Sequence, residues 1–373
     1  MNHQQLALPL LVLLGACAGT PTRDSSPPIA GLRQVDDLIQ PDEKHFAHLW
    51  QITKGGENAE GYWSFAGDRL SLQRRHGEQK CDRIFVTDAK GADESGIAPL
   101  QPVSNGKGVT TCAYFMPGDR EVLFASTQAF HETCPPPPDK SDGYVWSLHP
   151  EYDIFVHDLA SGDERRLTDS YGYDAEATVS PLGDRIVFTS DRSGDIELWT
   201  CKLDGSDVKQ VTNELGYDGG AFFSHDGKKL VFRATHFVEP GPNGELIGTR
   251  EQYVDLLKKH KIRPHMLDLY VCDVDGSNRR QVTDLGGASW APFFFPDDSR
   301  ILFSSNHHDE SERKFEFDIF AVDVDGKNLE RITTYKGFDS FPIFSPNGKW
   351  LVFASNRGGT EQGETNLFVA EWR

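Results

Sequence analysis

A chain of 373 residues with 38% hydrophobic and 11% aromatic content can bury a large core, and length alone would allow more than one domain. The formal net charge of −19 excludes nonspecific attraction to nucleic acid or to anionic lipid headgroups and favours solubility. It names no partner.

Residues 1–17, MNHQQLALPLLVLLGAC, read as an export signal whose apolar core, Leu6 to Leu14, is too short to span a bilayer. Leu14-Gly15-Ala16-Cys17 resembles the bacterial lipobox, in which Cys17 is lipidated and becomes the new N-terminus; Ala18 after it resembles the outer-membrane form of the sorting signal. The n-region lacks Lys and Arg, and the alternative is a plain secretory peptide with an incidental cysteine. Residues 18–45, rich in Pro, Ser and charge, read as a flexible tether. An orphan strand, Leu49-Trp50-Gln51-Ile52-Thr53, follows.

From there a single pattern recurs, clearest between Tyr171 and Thr212. Four β-rich runs, EATVS, RIVFTS, IELWTCKL and VKQVT, are separated by PLGD, DRSGD and DGSD. Alternating Val, Ile, Phe and Thr predict half-buried strands, and the Gly-Asp and Asp-Gly pairs predict tight turns, so one unit is a four-stranded antiparallel meander. Before it stand GYWSFAGDRLSLQRR with CDRIFVTDAKG, and TCAYFMPGDREVLFAST with YDIFVHDLASGDERRLT. After it stand GYDGGAFFSHDGKKLVFRA with LDLYVCDVDGSNRRQVT, WAPFFFPDDSRILFSSN with FDIFAVDVDGKNLERIT, and GFDSFPIFSPNGKWLVFASN with NLFVAEWR. Self-similarity at about 40 residues predicts an all-β fold, a six-bladed β-propeller over 46–373. The last copy is one strand short, and the orphan strand at Leu49–Thr53 is expected to complete it.

With strands a to d in each blade, the short turns PLGD, HDGK, PNGK, LDGS, VDGS and VDGK fall on one face. The long b–c insertions of blades 2, 4 and 5 fall on the other, where binding residues are expected. The blade 2 insertion joins four prolines to Tyr144 and Trp146. In the blade 4 insertion, Thr249 and Gln252 at capping-box spacing, Tyr253, Leu256 and Leu257 on one face, and the stop Pro264 predict one short helix over the rim, as a plug or as a ligand contact.

Among cysteines other than Cys17, a disulfide is expected within Cys81, Cys112 and Cys134, with Cys112–Cys134 the preferred pair. Cys201 and Cys272 read as buried free thiols. Aligning the copies at the end of strand b gives His76, Gln128, Arg192, His236, His307 and Arg357. The start of strand a gives Asn58, Thr110, Asp174, Asp218, Ser289 and Asp339, and two residues on come Glu60, Cys112, Glu176, Gly220, Ala291 and Phe341. From these, His76, Arg192, His236, His307, Arg357, Asp174, Asp218, Asp339 and Glu176 form a candidate ring at the funnel mouth. Internal bracing, a polar pocket for peptide or saccharide, and a metal or acid–base site built on His236 and His307 compete as readings. Gly287–Ala291 is not a nucleophile elbow, since no α/β-hydrolase pattern surrounds it, and Asp273–Gly276 and Asp323–Gly326 are hairpin turns.

The repeats FSPNGKWLVFASNRGG, VSPLGDRIVFTSDRSGD and LYVCDVDGSNRRQVT resemble the TolB-type propeller repeat. The resemblance covers nearly everything after residue 46 and implies a six-bladed propeller exported to the bacterial envelope. The TolB family works by protein contacts across its funnel, with a peptidoglycan-associated lipoprotein as partner, though no partner-binding residue carries over. This chain departs in lacking an α/β domain ahead of the propeller and in carrying the lipobox. The expected protein is a monomeric lipoprotein of the outer membrane, facing the periplasm, with no cofactor. It binds an envelope protein, peptide or glycan through its loop-rich face and binds no nucleic acid. The alternative is an enzyme, a metal-assisted lyase or hydrolase acting on a saccharide in the funnel.

Overall fold

The computed structural model describes residues 26–136, 140–235, 237, 248–311 and 314–373. Among them, six antiparallel sheets follow one another around an axis, each with its strands in the order a-b-c-d. The innermost strands are Glu57–Trp63, Thr110–Phe115, Asp174–Val179, Asp218–Phe223, Ser289–Phe294 and Asp339–Phe344, in blades 1 to 6. Burial runs radially rather than alternating along each strand. In blade 3, strand a (Asp174–Val179) is buried at every residue and strand b (Arg185–Ser190) at all but its first, whereas strand d (Lys209–Gln210) is exposed. Both faces of an inner strand pack against neighbouring blades, so in blade 3 the half-buried alternation expected from sequence gives way to continuous burial, polar residues included.

The closing Thr of each repeat has a specific task. Its hydroxyl accepts a hydrogen bond from a backbone N–H of strand c at 2.9 Å: Thr168 from Ile154, Thr212 from Leu198, Thr283 from Leu269 and Thr333 from Ile319. Ser104 serves Ile84 in the same way at 3.0 Å in blade 1. In blade 6 the N-terminal Thr53 accepts from Leu367 at 2.9 Å, so the orphan strand fills the outer position of the last blade. That strand spans Phe46–Gln51 and pairs antiparallel with Asn366–Trp372, Leu49 opposite Ala370 and Trp50 opposite Val369. Blades also interlock through their c–d turns: a Cβ on Gly326 (φ +85°) would lie 2.7 Å from the Val282 carbonyl of the preceding blade, so the Asp-Gly turn admits only glycine there.

The segment before the orphan strand, expected to be a free tether up to residue 45, is docked from Ile29 onward. Ile29, Leu32 and Val35 are buried, and Arg33–Gln34 adds a short strand outside Phe46–Gln51. Glu43 is also buried and meets Arg357, which is wholly buried. The Arg357 guanidinium donates to both Glu43 oxygens at 3.0 and 2.8 Å and to Asp339 Oδ2 at 2.8 Å. Burial alone would lower the Arg357 pKa, but the Asp339 and Glu43 carboxylates more than reverse this and raise it. A polar segment becomes ordered because it supplies the second carboxylate to a buried cation.

The loops on the opposite rim are tied together covalently. Cys134, in the b–c insertion of blade 2, is bonded to Cys81, in the b–c loop of blade 1, with Cα atoms 5.8 Å apart. This corrects the expected Cys112–Cys134 pair. Cys112 lies on the innermost strand and its thiol faces the axis, whereas Cys81 and Cys134 sit on adjacent rim loops; Cys112, Cys201 and Cys272 are free thiols. A bridge across 53 residues of sequence removes about 4 kcal/mol of loop entropy from the unfolded chain on the chain-entropy model.

Replacing Arg357 with Met leaves Glu43 and Asp339 buried without their cation, so the variant is expected to lose about 3–5 kcal/mol at neutral pH. The loss should shrink as the pH falls and Asp339, which burial already raises to about 6 beside Arg357, takes up a proton. Urea melts of R357M and wild type at pH 7.5 and 4.5 measure both; an unchanged midpoint at pH 7.5 would show that the triad does not hold the N-terminal segment.

Candidate functional site

Each innermost strand carries a β-bulge at the same register. The pairing of strand a with strand b shifts between Ala59 and Tyr62 in blade 1, between Ala175 and Thr178 in blade 3, and at the equivalent points of the other four. At each bulge one residue takes a left-handed conformation: Glu60, Cys112, Glu176, Gly220, Ala291 and Phe341, with φ between +49° and +58°. A bulge re-aims a side chain out of the sheet. Here the five that are not glycine line the axial pocket, which Gly220 also lines by its backbone. Two residues further on, Tyr62, Tyr114, Phe222 and Phe293 close around the axis with ring centroids 5.4–6.4 Å apart. They seal the funnel below the bulged ring.

Above that ring is a cavity of about 600 Å³, within the range typical of small-molecule sites. Glu176, Arg233 and Tyr217 form its fixed polar element. Glu176 accepts from Thr189 Oγ1 at 2.8 Å, from Tyr217 Oη at 2.7 and 2.8 Å, from the Gly220 N–H at 2.9 Å, and from Arg233 Nη2. Arg233 also donates to Tyr217 Oη at 2.7 Å and lies 5.0 Å over the Trp146 ring. Burial opposes the Arg233 charge, but the Glu176 carboxylate and the Tyr217 hydroxyl together outweigh it and the pKa rises. This ion pair is therefore closed on itself. Gly219 makes room for it, because a Cβ there would lie 2.6 Å from Glu176 Oε2 and collide with the Tyr217 hydroxyl.

Glu60 stands in contrast. The Cys112 thiol is hydrogen-bonded to its side chain, but Oε2 is shut off from solvent and has no hydrogen-bond partner among the described residues. The seclusion belongs to Oε2, while the residue as a whole keeps some exposure toward the cavity. Burial pushes this carboxyl up to about 7, against the Cys112 hydrogen bond and the Arg233 charge. The site thus holds one carboxyl raised by burial and one paired with arginine.

The roof comes from the two long insertions, which meet over the mouth. Trp146–Ser147 of blade 2 pairs antiparallel with Lys261–Ile262 of blade 4, and the Leu148 N–H donates to His260 O at 2.8 Å. Lys261 Nζ reaches Asp142 at 2.8 Å and Lys259 Nζ at 3.6 Å. The helix spans Arg250–Leu257 with Thr249 as N-cap, as its capping signal predicts, and buries Tyr253 and Leu256. It does not line the cavity; it buttresses the strand that covers it. Trp146 and Trp290 form adjoining walls with centroids 5.8 Å apart, and Trp290 is fixed by a stack on Phe317 at 4.2 Å and a bond from its Nε1 to Ser340 Oγ at 2.9 Å.

Of the nine candidate ring residues, the structure places Glu176 on the cavity. Arg192 meets Asp174 through two 2.9 Å bonds, Asp218 meets Arg279 at 3.0 Å, and Asp339 meets Arg357 as above. His307 Nδ1 lies 3.0 Å from Ser305 Oγ and its ring packs on Phe320, much as Arg192 and Arg357 hold Ser190 and Ser355. His76 is exposed, and His236 lies outside the described residues. Among the described residues, His308, Glu316 and Asp318 have donor atoms within 4.8 Å of one another. Arg331 already ion-pairs with both carboxylates, and the group does not line the funnel. Arg233, Tyr217, Glu60 and Trp290 were not singled out from sequence. Arg233 does carry a signal: at its register the other copies have Gln73, Ala125, Thr189, Ser304 and Ala354, so one blade alone brings a charge.

Gly219→Ala should destabilise the fold by about 1–3 kcal/mol through overpacking and displace Arg233 from Trp146, read as a lower melting temperature with altered tryptophan emission. Glu60→Gln tests the secluded carboxyl. A carboxyl raised from 4.5 to about 7 by folding opposes folding increasingly as pH rises through that window. The Gln variant should therefore match wild type near pH 4 and exceed it by about 1–3 kcal/mol at pH 8. Parallel stability curves across this range would show that Glu60 is ionised throughout.

Residues 138–238 and 248–364, more than half of the chain, match the family model of the TolB beta propeller domain. An uncharacterized protein of Agrobacterium fabrum is 30% identical over 242 residues, covering 60% of this chain and 74% of that one. Among solved structures, TolB from Acinetobacter baumannii aligns with a TM-score of 0.50 at 18% identity, over 85% of this chain and 65% of that one. A gluconolactonase from Xanthomonas campestris aligns at 0.52 and 14% identity, over 90% and 94%. These structural likenesses speak for the fold alone. With its six bulged blades and the family match over more than half its length, the chain belongs to the TolB beta propeller domain family.

Proposed function

We propose that this protein is an envelope lipoprotein, anchored through Cys17 and facing the periplasm, whose propeller captures a saccharide or short peptide in the funnel of its loop-rich face. The observation that carries this reading is the cavity itself. It has aromatic walls, Trp146 and Trp290, above a polar floor in which Glu176 and Arg233 are already paired and Glu60 is not. Aromatic faces suit the apolar faces of sugar rings and peptide side chains, and a few convergent polar groups fix orientation. The roof is a two-residue ladder, which an entering ligand can part without unfolding a blade.

A second reading makes the funnel an active site for a saccharide. Glu60 favours it: a carboxyl pushed up to about 7 by burial, beside a second carboxyl already paired with arginine, suits the acid–base chemistry used on glycosides. On that reading Glu60→Gln abolishes turnover and leaves binding largely intact.

Tryptophan fluorescence and thermal-shift titrations of the protein lacking residues 1–17, against panels of envelope-derived oligosaccharides and peptides, test the primary reading. A saturable shift is expected with at least one panel member, weakened by about 2 kcal/mol in Trp146→Ala. Absence of any shift, or undiminished binding by W146A, would move recognition away from the funnel.

A further inference from the structure

Resting on the funnel as the binding site, we infer that the group it recognises is a protonated amine, seated against Glu60 and Asp82 and ringed by aromatic side chains. The charges of the cavity decide this. Its two arginines are spent: Arg233 is held by Glu176, and Arg75 by Glu57. The carboxyls are not. Asp82 lines the same cavity and makes no ion pair among the described residues, and Glu60 Oε2 has no hydrogen-bond partner there. The two sense each other as like charges. An anionic ligand group would meet two carboxyls that Arg233, Arg75 and Arg83 offset only through space, without an ion pair among the described residues, while both arginines of the cavity are already paired to other carboxylates. A neutral hydroxyl could accept one hydrogen bond from Glu60 but would bring no charge to Asp82. An ammonium supplies three donors and a charge.

The walls fit the same group. Tyr152, Tyr173, Tyr217, Trp146 and Trp290 all border the cavity, and the faces of such rings attract a desolvated cation. The chain as a whole adds to this, since a net charge of −19 draws cations toward a cleft with low-dielectric walls. Burial pushes the Glu60 carboxyl up to about 7; an arriving ammonium favours the carboxylate and so promotes loss of its proton. Capture of the amine is thereby coupled to release of a proton, and the site is primed by pH.

The amine could belong to an amino sugar or to a peptide, and the probes separate the two. Isothermal titration of the protein lacking residues 1–17 is made with the glucosamine trimer, with its fully N-acetylated counterpart and with trilysine. At least one amine probe is expected to bind at least tenfold more tightly than the acetylated trimer. E60Q should lose about 10- to 100-fold for that probe, the loss of one charge-assisted contact. For trilysine, whose side-chain amines stay charged to about pH 10, affinity should rise between pH 6 and 8 in wild type and stay level in E60Q. Thermal melts establish that E60Q is folded; if it is not, Asp82→Asn carries the same comparison. Equal binding of the acetylated and free-amine trimers, with E60Q unaffected, would overturn the amine while leaving a saccharide funnel in place. No binding of either amine probe, with the acetylated trimer or another neutral ligand bound, would overturn it likewise. Silence of all three probes, with no shift in the wider panels, would overturn both readings together.

Discussion

Antiparallel pairing between Phe46–Gln51 and Asn366–Trp372 is what converts six meanders into a ring, and every other feature is built on that closure. Without it, the sheet edge of Asn366–Trp372 would be open, and nothing would force the six inner strands to converge. The convergence creates the funnel, and the bulges set what the funnel contains. The seam is reinforced by chemistry of three kinds. Thr53 repeats the hydroxyl contact of the other blades, Arg33–Gln34 covers the new edge, and Arg357 pulls Glu43 into the interior beside Asp339. The last of these explains why a Pro- and Ser-rich leader is ordered as far back as Ile29: a buried arginine with one carboxylate is poorly compensated, and the leader supplies the second.

The electrostatics of the funnel follow from unequal neighbours rather than from unequal residues. Glu60 and Glu176 occupy the same bulge position in blades 1 and 3. Glu176 has Arg233, Tyr217, Thr189 and a backbone N–H around it. Glu60 has a thiol, a weak donor that cannot replace water. Identical side chains on identical backbone thus have different partners, and burial is left to push the Glu60 carboxyl up. Arg233 reaches Glu176 because Gly219 and Gly220 of blade 4 carry no side chains to block it.

The fold was legible because propeller repeats write themselves at fixed register: turn, strand and a closing hydroxyl, Thr in five blades and Ser104 in the first, recur with one structural cause each. Much less of the site was readable. The six positions of the bulge ring could be aligned from sequence, yet their left-handed backbone could not, since Glu, Cys, Ala and Phe give no sign of it. The charged residues that drew attention, Arg192, Arg357, Asp174, Asp218 and Asp339, form pairs away from the cavity. Polar residues repeated from blade to blade tend to answer a need that every blade has. What differs between blades, such as Arg233, belongs to the one place where the blades meet. The disulfide was misread for the same reason, since Cys112 is separated from Cys134 by its place on the axial strand rather than by distance in sequence.

The bulge at the same register of all six inner strands also separates two tasks that most binding sites combine. The strained backbone belongs to the ring and is indifferent to the side chain it carries, as Glu, Cys, Glu, Gly, Ala and Phe at φ near +50° attest. Five of those side chains reach the funnel. Such a scaffold can change its ligand by substitution at a handful of addresses, one per blade, with its core left untouched. Within one lineage, propellers with interchangeable frameworks could therefore carry unrelated chemistries, and relatedness among them would be read from the turns and closing threonines rather than from the funnel.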